Sequence, residues 1–228
     1  MSWNLCLSGE SSELVSRFYP PIELSAEKDY VIGLTDLECT NVVPNITRGC
    51  DKFYYIDNKT TKAVAITLPE GSYEIDAIAS FIESNLNGIK IKANVNTMKV
   101  EITSDYDLDF SPSDSIGKII GFSPRKLKAK EKWISDIPVD IFPVSVVRVE
   151  CNLVTNSYID GKPSHTIMSF PLTVDPGYRL NITPSHILFL PINRKIIDEL
   201  TLRFVDQNGK LINFRGETIS VTLHLKEA

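Results

Sequence analysis

The last ten residues constrain this chain most. From Ile219 to Leu225, apolar Ile219, Val221, Leu223 and Leu225 alternate strictly with polar Ser220, Thr222 and His224. Side chains on a strand point to opposite faces with period two, so strict alternation means one buried face and one wet face. The same pattern, Leu200, Leu202 and Phe204, stands just before Asp206-Gln207-Asn208-Gly209. Asn-Gly tolerates positive φ and supplies a hairpin turn. The reading is a final hairpin over Leu200–Leu225, with both apolar sets facing one interior.

The rest of the second half repeats this grammar. Val147, Val149, Cys151 and Leu153 share a strand face. Further strands are expected at His165–Leu172, Tyr178–Ile182 and Ile187–Ile192, separated by prolines and polar turns. In the first half, Tyr30–Cys39 reads as a buried strand. Phe53–Ile56 and Ala63–Leu68 read as short strands around the polar turn 57–62. Many short strands at this spacing favour a β-sandwich or jelly roll. No period of 20–50 residues marks a propeller or solenoid.

Two segments break the pattern. Residues 1–28 are mixed in polarity and contain Tyr19-Pro20-Pro21, which cannot enter a central strand because proline lacks the ladder donor. They read as an extended N-terminal arm carrying no core strand, ahead of a β domain at 29–228. Residues 69–122 read as a small α/β insertion in that domain. Ser72 is the expected N-cap of a helix with Ile75, Ile78, Ala79, Ile82 and Leu86 on one face, ended by Asn87-Gly88. A hairpin follows, Ile89–Val95 and Met98–Ile102 about Asn96-Thr97. A second short helix is expected from Ser111, with Pro112 in the first position, Asp114 three residues on, and Gly121 as its stop.

Charge and length narrow the functional classes. The chain has 228 residues and a net charge of −5, from 24 basic and 29 acidic side chains, so it has no general pull toward nucleic acid. One local exception is Arg125, Lys126, Lys128, Lys130 and Lys132, read as a solvated loop or as a contact for nucleic acid or an acidic partner. No apolar run approaches the length of a membrane span. Met1–Leu7 has no basic start and no apolar stretch of a secretory leader, so use inside a cell is expected. The sequons at Asn45, Asn58 and Asn181 then read as chance matches.

Catalytic and metal signatures are missing. His165, His186 and His224 are isolated in sequence, and there is no nucleophile elbow, phosphate loop or zinc-protease helix. Cys6, Cys39, Cys50 and Cys151 form no CxxC pair, and idle or buried thiols are expected. Asp105, Asp107 and Asp109 alternate, but a calcium loop needs a glycine turn absent there, so a solvated strand face is expected. No catalytic, cofactor-binding or metal-binding residue is assigned, no cofactor is expected, and the chain is read as a non-enzyme.

Three stretches carry a family likeness. They are Tyr30–Leu37 with Asn41–Ile46, Leu68–Tyr73 with the helix, hairpin and Ser115–Phe122, and Leu202–Gly209 with Phe214–Leu225. Together they resemble the minor capsid, or penton, proteins of Maverick/Polinton elements and adintovirus-like genomes. The resemblance implies a single jelly roll that self-associates into a pentameric ring at icosahedral vertices. It implies a neighbouring major capsid protein as partner, and the virion as its place. The α/β insertion is a departure from the simplest jelly roll. The alternatives are a β-sandwich binding module, lectin-like or a receptor-binding spike, and a domesticated host copy of the viral gene. Loop aromatics Tyr54, Tyr55, Trp133 and Tyr158, if exposed, would favour the binding module.

Overall fold

The computed structural model describes residues 1–57 and 62–228; the sequon at Asn58 and most of the turn expected at 57–62 fall outside the described residues. The chain opens with β1 (Ser2–Gly9), β2 (Glu13–Glu23) and β3 (Tyr30–Thr40). Next come β4 (Lys52–Ile56), β5 (Ala63–Thr67), helix α1 (Ile75–Asn85), β6 (Ile89–Asn94), β7 (Lys99–Ser104), β8 (Asp107–Asp109), β9 (Lys126–Leu127) and β10 (Lys132–Ile134). The last part holds β11 (Val147–Cys151), β12 (Ser157–Ile159), β13 (Lys162–Ser164), β14 (Thr166–Phe170), β15 (Arg179–Ile182), β16 (Leu190–Pro191), β17 (Ile196–Val205) and β18 (Ile219–Glu227). Among the described residues no helix is long and apolar enough to cross a membrane.

Two compact units divide the chain. One contains Met1–Val43 and Val144–Ala228, and the other Pro44–Pro143. The first is a sandwich of two antiparallel sheets, in the orders β1-β18-β3-β15 (with β16 also on β3) and β14-β11-β17-β2. Counting only its main strands along the chain (β1, β2, β3, β11, β14, β15, β17, β18), the neighbours are first with eighth, second with seventh, third with sixth and fourth with fifth. That nesting is a jelly roll. Successive strands mostly alternate between sheets, and each sheet turns its apolar positions toward one shared core.

The alternation read from the sequence lands in that core. Ile219, Val221, Leu223 and Leu225 are at most 1% exposed, and Leu200, Leu202 and Phe204 are fully buried. The expected pairing between these sets is not made. β18 pairs with β1 and β3, while β17 pairs with β2 and β11, so the two sets belong to opposite sheets. The Asp206–Lys210 turn closes only a short return, with a bridge between Val205 and Leu211. The chain then crosses to the other sheet, and Phe214 meets Phe204 edge-on at 5.8 Å.

The N-terminal reading is corrected. Residues 1–28 are not an arm, because β1 pairs along its whole length with β18, and β2 pairs with β17. Leu5, Leu7, Leu14 and Leu24 are buried in the sandwich core. The proline argument excluded a central strand, and β2 is indeed an edge strand. Its ladder runs over Glu13–Arg17 and Ile22–Glu23, and the register shift between them passes over Pro20 and Pro21. An edge strand tolerates the missing donors.

The second unit is larger than the 69–122 insertion expected. It takes in β4, β5, β9 and β10 as well, in two sheets of orders β5-β4-β8-β9 and β10-β7-β6. Ile78, Ala79 and Ile82 of α1 join Phe53, Ile91, Ile102 and Phe110 in one separate core. Ser72 is not the cap of α1; Glu74 holds that position without a side-chain cap bond. The second helix reduces to a 3₁₀ turn over Ile116–Lys118, capped by Ser115 rather than Ser111. Gly121 follows it at φ +84°, where a Cβ would meet the Ile137 carbonyl at 2.2 Å, so only glycine fits.

Candidate functional site

The two charge patterns of the sequence turn out to be one structure. β8 pairs with β9, setting Asp109 opposite Lys126, so the alternating acids face the basic stretch across a ladder. Asp107 accepts the Ala129 amide at 2.8 Å and the Lys128 ammonium at 3.2 Å. Those bonds, the Ala129 amide foremost, hold its carboxyl below the ordinary range. Burial pushes the Asp109 carboxyl up, but the Ser111 amide and Lys126 outweigh it and its net shift is also downward. Arg125 pairs with Asp136 at 3.0 Å and lies over the Trp133 ring at 5.5 Å. Lys132 pairs with Glu101 at 2.8 Å. The stretch is therefore built into strands and ion pairs, with Lys126, Lys128 and Lys132 still exposed to solvent, and Asp107 and Asp109 are paired and partly buried while Asp105 is exposed.

Asp114, expected in a helix, is instead a hub. Its carboxylate takes Lys52 Nζ at 2.8 Å and the Tyr54 hydroxyl at 2.9 Å, and its carbonyl accepts the Asp51 and Lys52 amides. The Lys52 contact holds the acid low, and Lys52 itself is raised by the same bond. Asn45 is a second hub. Its amide donates to the Tyr73 and Ile141 carbonyls and its Oδ1 accepts the Tyr73 N–H, so this sequon nitrogen is already spent on the fold. No sequence pattern announced either hub, because both join residues far apart in the chain.

The remaining chemical candidates are dispersed. His165 bonds the Val154 carbonyl at 2.8 Å, His224 packs edge-on against Phe189 at 5.9 Å, and His186 is exposed. Among the described residues no group of three or more His, Cys, Asp or Glu could hold a metal ion. All four cysteines are free. Burial pushes the Cys39 and Cys151 thiols up to about 11, far from the thiolate state that makes a nucleophile. Of the loop aromatics, Tyr54 is tied to Asp114, Tyr55 packs on Tyr106 at 5.3 Å, and Trp133 donates to the Lys128 carbonyl. Tyr158 is 67% exposed, on the β12–β13 hairpin. Asp160 and Gly161 at its tip both have positive φ, the geometry of a tight two-residue turn.

What the sandwich presents is surface. Outward from β18 stand Ser220, Thr222 and His224, beside Ser8, Cys6 and Asn4 of β1. Over part of this face lies the segment before β16. A Cβ on Gly33 would meet Ile187 Cγ2 at 2.6 Å, so the glycine makes room for that segment. Phe189 is held there by Lys226, whose ammonium sits 3.9 Å from the ring centroid.

No family model matches the chain, and no curated protein matches it. A solved structure does. The crystal structure of the selenomethionine-labelled mavirus penton protein is similar over 100% of both chains, with a TM-score of 0.55 and 11% identity. The likeness is one of fold, and it spans the sandwich and the second unit alike.

Proposed function

We propose that this chain is a structural capsid protein of a virus: the minor, or penton, subunit that forms pentameric vertices of an icosahedral shell in a Maverick/Polinton-type element. The observation that carries the reading is the end-to-end fold likeness to a penton protein, with no part of either chain left over. The jelly-roll nesting supports it, since a rigid sandwich with open ends suits head-to-tail contacts around a symmetry axis. The use of side-chain chemistry within the fold also supports a non-enzymatic role: Asp107 and Asp109 pair with Lys128 and Lys126, Asp114 pairs with Lys52, and Cys39 and Cys151 are buried free thiols. Its partners in this reading are further copies of itself and a neighbouring major capsid protein, and its place is the virion.

Light scattering coupled to gel filtration, with electron microscopy of the eluted peak, tests the assembly. Closed rings of five are expected. A clean monomer at micromolar concentration in every salt condition overturns the ring. One observation favours a second reading, a binding module: the exposed Tyr158 hairpin. Tyr158→Ala would abolish ligand or cell binding in that case and leave ring formation unchanged.

A further inference from the structure

The β10-β7-β6 sheet of the second unit presents a lysine face. Ile89, Ile91, Val100 and Ile102 are buried in the core of that unit, so the alternate positions point to the opposite side. That side carries Lys90 and Lys92 on β6, Lys99 and Glu101 on β7, and Lys132 on β10. Its one acid, Glu101, is taken by Lys132 at 2.8 Å, and Lys99 donates to the Asp136 carbonyl at 2.9 Å. A cleft of about 490 Å³ at one end of the face adds Lys130, with Asp105 and Glu131 on its walls. Lys90 and Lys92 are exposed and make no ion pair among the described residues.

The same unit carries the opposite charge elsewhere. Between Lys62 and Lys90 the sequence has no Lys or Arg but has the acids Glu70, Glu74, Asp76 and Glu83. Glu83 accepts the Ile91 amide at 2.8 Å. The other three cluster at the start of α1: Glu74 holds the N-cap position, Asp76 lies in the first turn, and Glu70 precedes them. All three are exposed and make no ion pair among the described residues. The helix dipole favours acids at that end but leaves their outer side open. Ile78 and Ile82 of α1 share one core with Ile91 and Ile102, so the helix lies on the inner side of the sheet and the lysines on the outer side. Within one copy the two patches do not meet. Between copies they can.

We infer that the outer face of the β10-β7-β6 sheet is a self-association surface that takes the acidic start of α1 from a second copy of this chain. The inference rests on the ring reading above and names one of its contacts. A patch that meets a different patch on the next copy makes a head-to-tail contact, which closes into a ring when the rotation allows it. Opposite charges across such a contact set its register and exclude wrong pairings, because like charges brought face to face repel. A phosphate polymer fits the face less well. Glu101 stands among the lysines, and no aromatic side chain on that side offers a base a stacking platform.

The test is ring formation by the full chain, followed by light scattering as a function of protein concentration. Lys90→Glu combined with Lys92→Glu should raise the midpoint concentration about tenfold or more, because it sets like charges opposite each other. The β spectrum should be kept, since both side chains are exposed. Glu74→Lys combined with Asp76→Lys should raise the midpoint similarly. All four substitutions in one chain should restore assembly, an outcome that a general loss of stability could not produce. A monomeric unmodified chain overturns the ring and this contact together. Rings whose midpoint is unmoved by either reversal, or a fourfold variant that assembles no better than the pairs, overturn the contact alone. Binding of a labelled DNA duplex that disappears on reversal of Lys90 and Lys92 while rings persist assigns the face to phosphate and overturns it also.

Discussion

Removing residues 1–25 should unfold the sandwich. The segment supplies the first strand of each sheet, so its loss uncovers a β18 edge and a β17 edge that are otherwise paired along most of their length. It also takes away four buried leucines, Leu5, Leu7, Leu14 and Leu24, none more than 8% exposed. Truncating a buried leucine to alanine costs about 2–5 kcal/mol. Two such losses already rival the roughly 5–15 kcal/mol that holds a domain of this kind together. Leu7→Ala and Leu14→Ala give the graded version, each expected to lower the urea midpoint by an amount equivalent to about 2–4 kcal/mol. Leu14 leaves little room to repack, since its Cδ2 lies 2.9 Å from where a Cβ on Gly9 would stand. Circular dichroism and urea titration of the truncated chain decide the matter. A truncated protein that keeps its β spectrum and a cooperative transition near the full-length midpoint would refute the argument and restore these residues as a detachable arm.

Three further outcomes follow from the same geometry. Val221 is 1% exposed, so Val221→Asp buries an unpaired carboxylate and should cost about 3–5 kcal/mol, whereas Thr222→Asp on the outward face should fold; unfolding of both would mean burial on both sides, and a folded Thr222→Asp that no longer assembles would mark that face as a subunit contact. Asp107, Asp109 and Asp136 titrate below the ordinary value of 3.8 in the fold, so their contribution is complete above that value and is lost as pH falls through their lower folded values. Chemical denaturation from about pH 5 down to about pH 2 should show the loss, and Asp107→Asn should flatten it; an unchanged profile in the variant would remove Asp107 from the account. A thiol reagent at mild alkaline pH should label Cys6 rapidly, Cys50 slowly, and Cys39 and Cys151 only on unfolding, which mass spectrometry of the labelled peptides would check.

Period-two alternation by itself determined the fold class and the inward faces of β11, β17 and β18, because burial of one strand face is a local property written every second residue. Helix α1 and the β6–β7 hairpin were legible for the same reason: their apolar periodicity and their glycine and asparagine turns lie within a few residues of each other. Tertiary structure alone decided which strands are neighbours. Leu202 and Leu223 face the same core from opposite sheets, and nothing in Asp206–Gly209 distinguishes a hairpin from a crossing between sheets. It also decided the fate of Pro20 and Pro21, since a proline excludes a central strand but cannot choose between an edge strand and a free arm until the partner, β17, is known. The charges make the point most sharply. Lys126 and Lys128 and the acids Asp107 and Asp109 each looked solvent-facing when read alone, and the pairing of β8 with β9 brings these opposite charges within bonding distance. Coulomb energy depends on distance in space, and sequence separation does not report it.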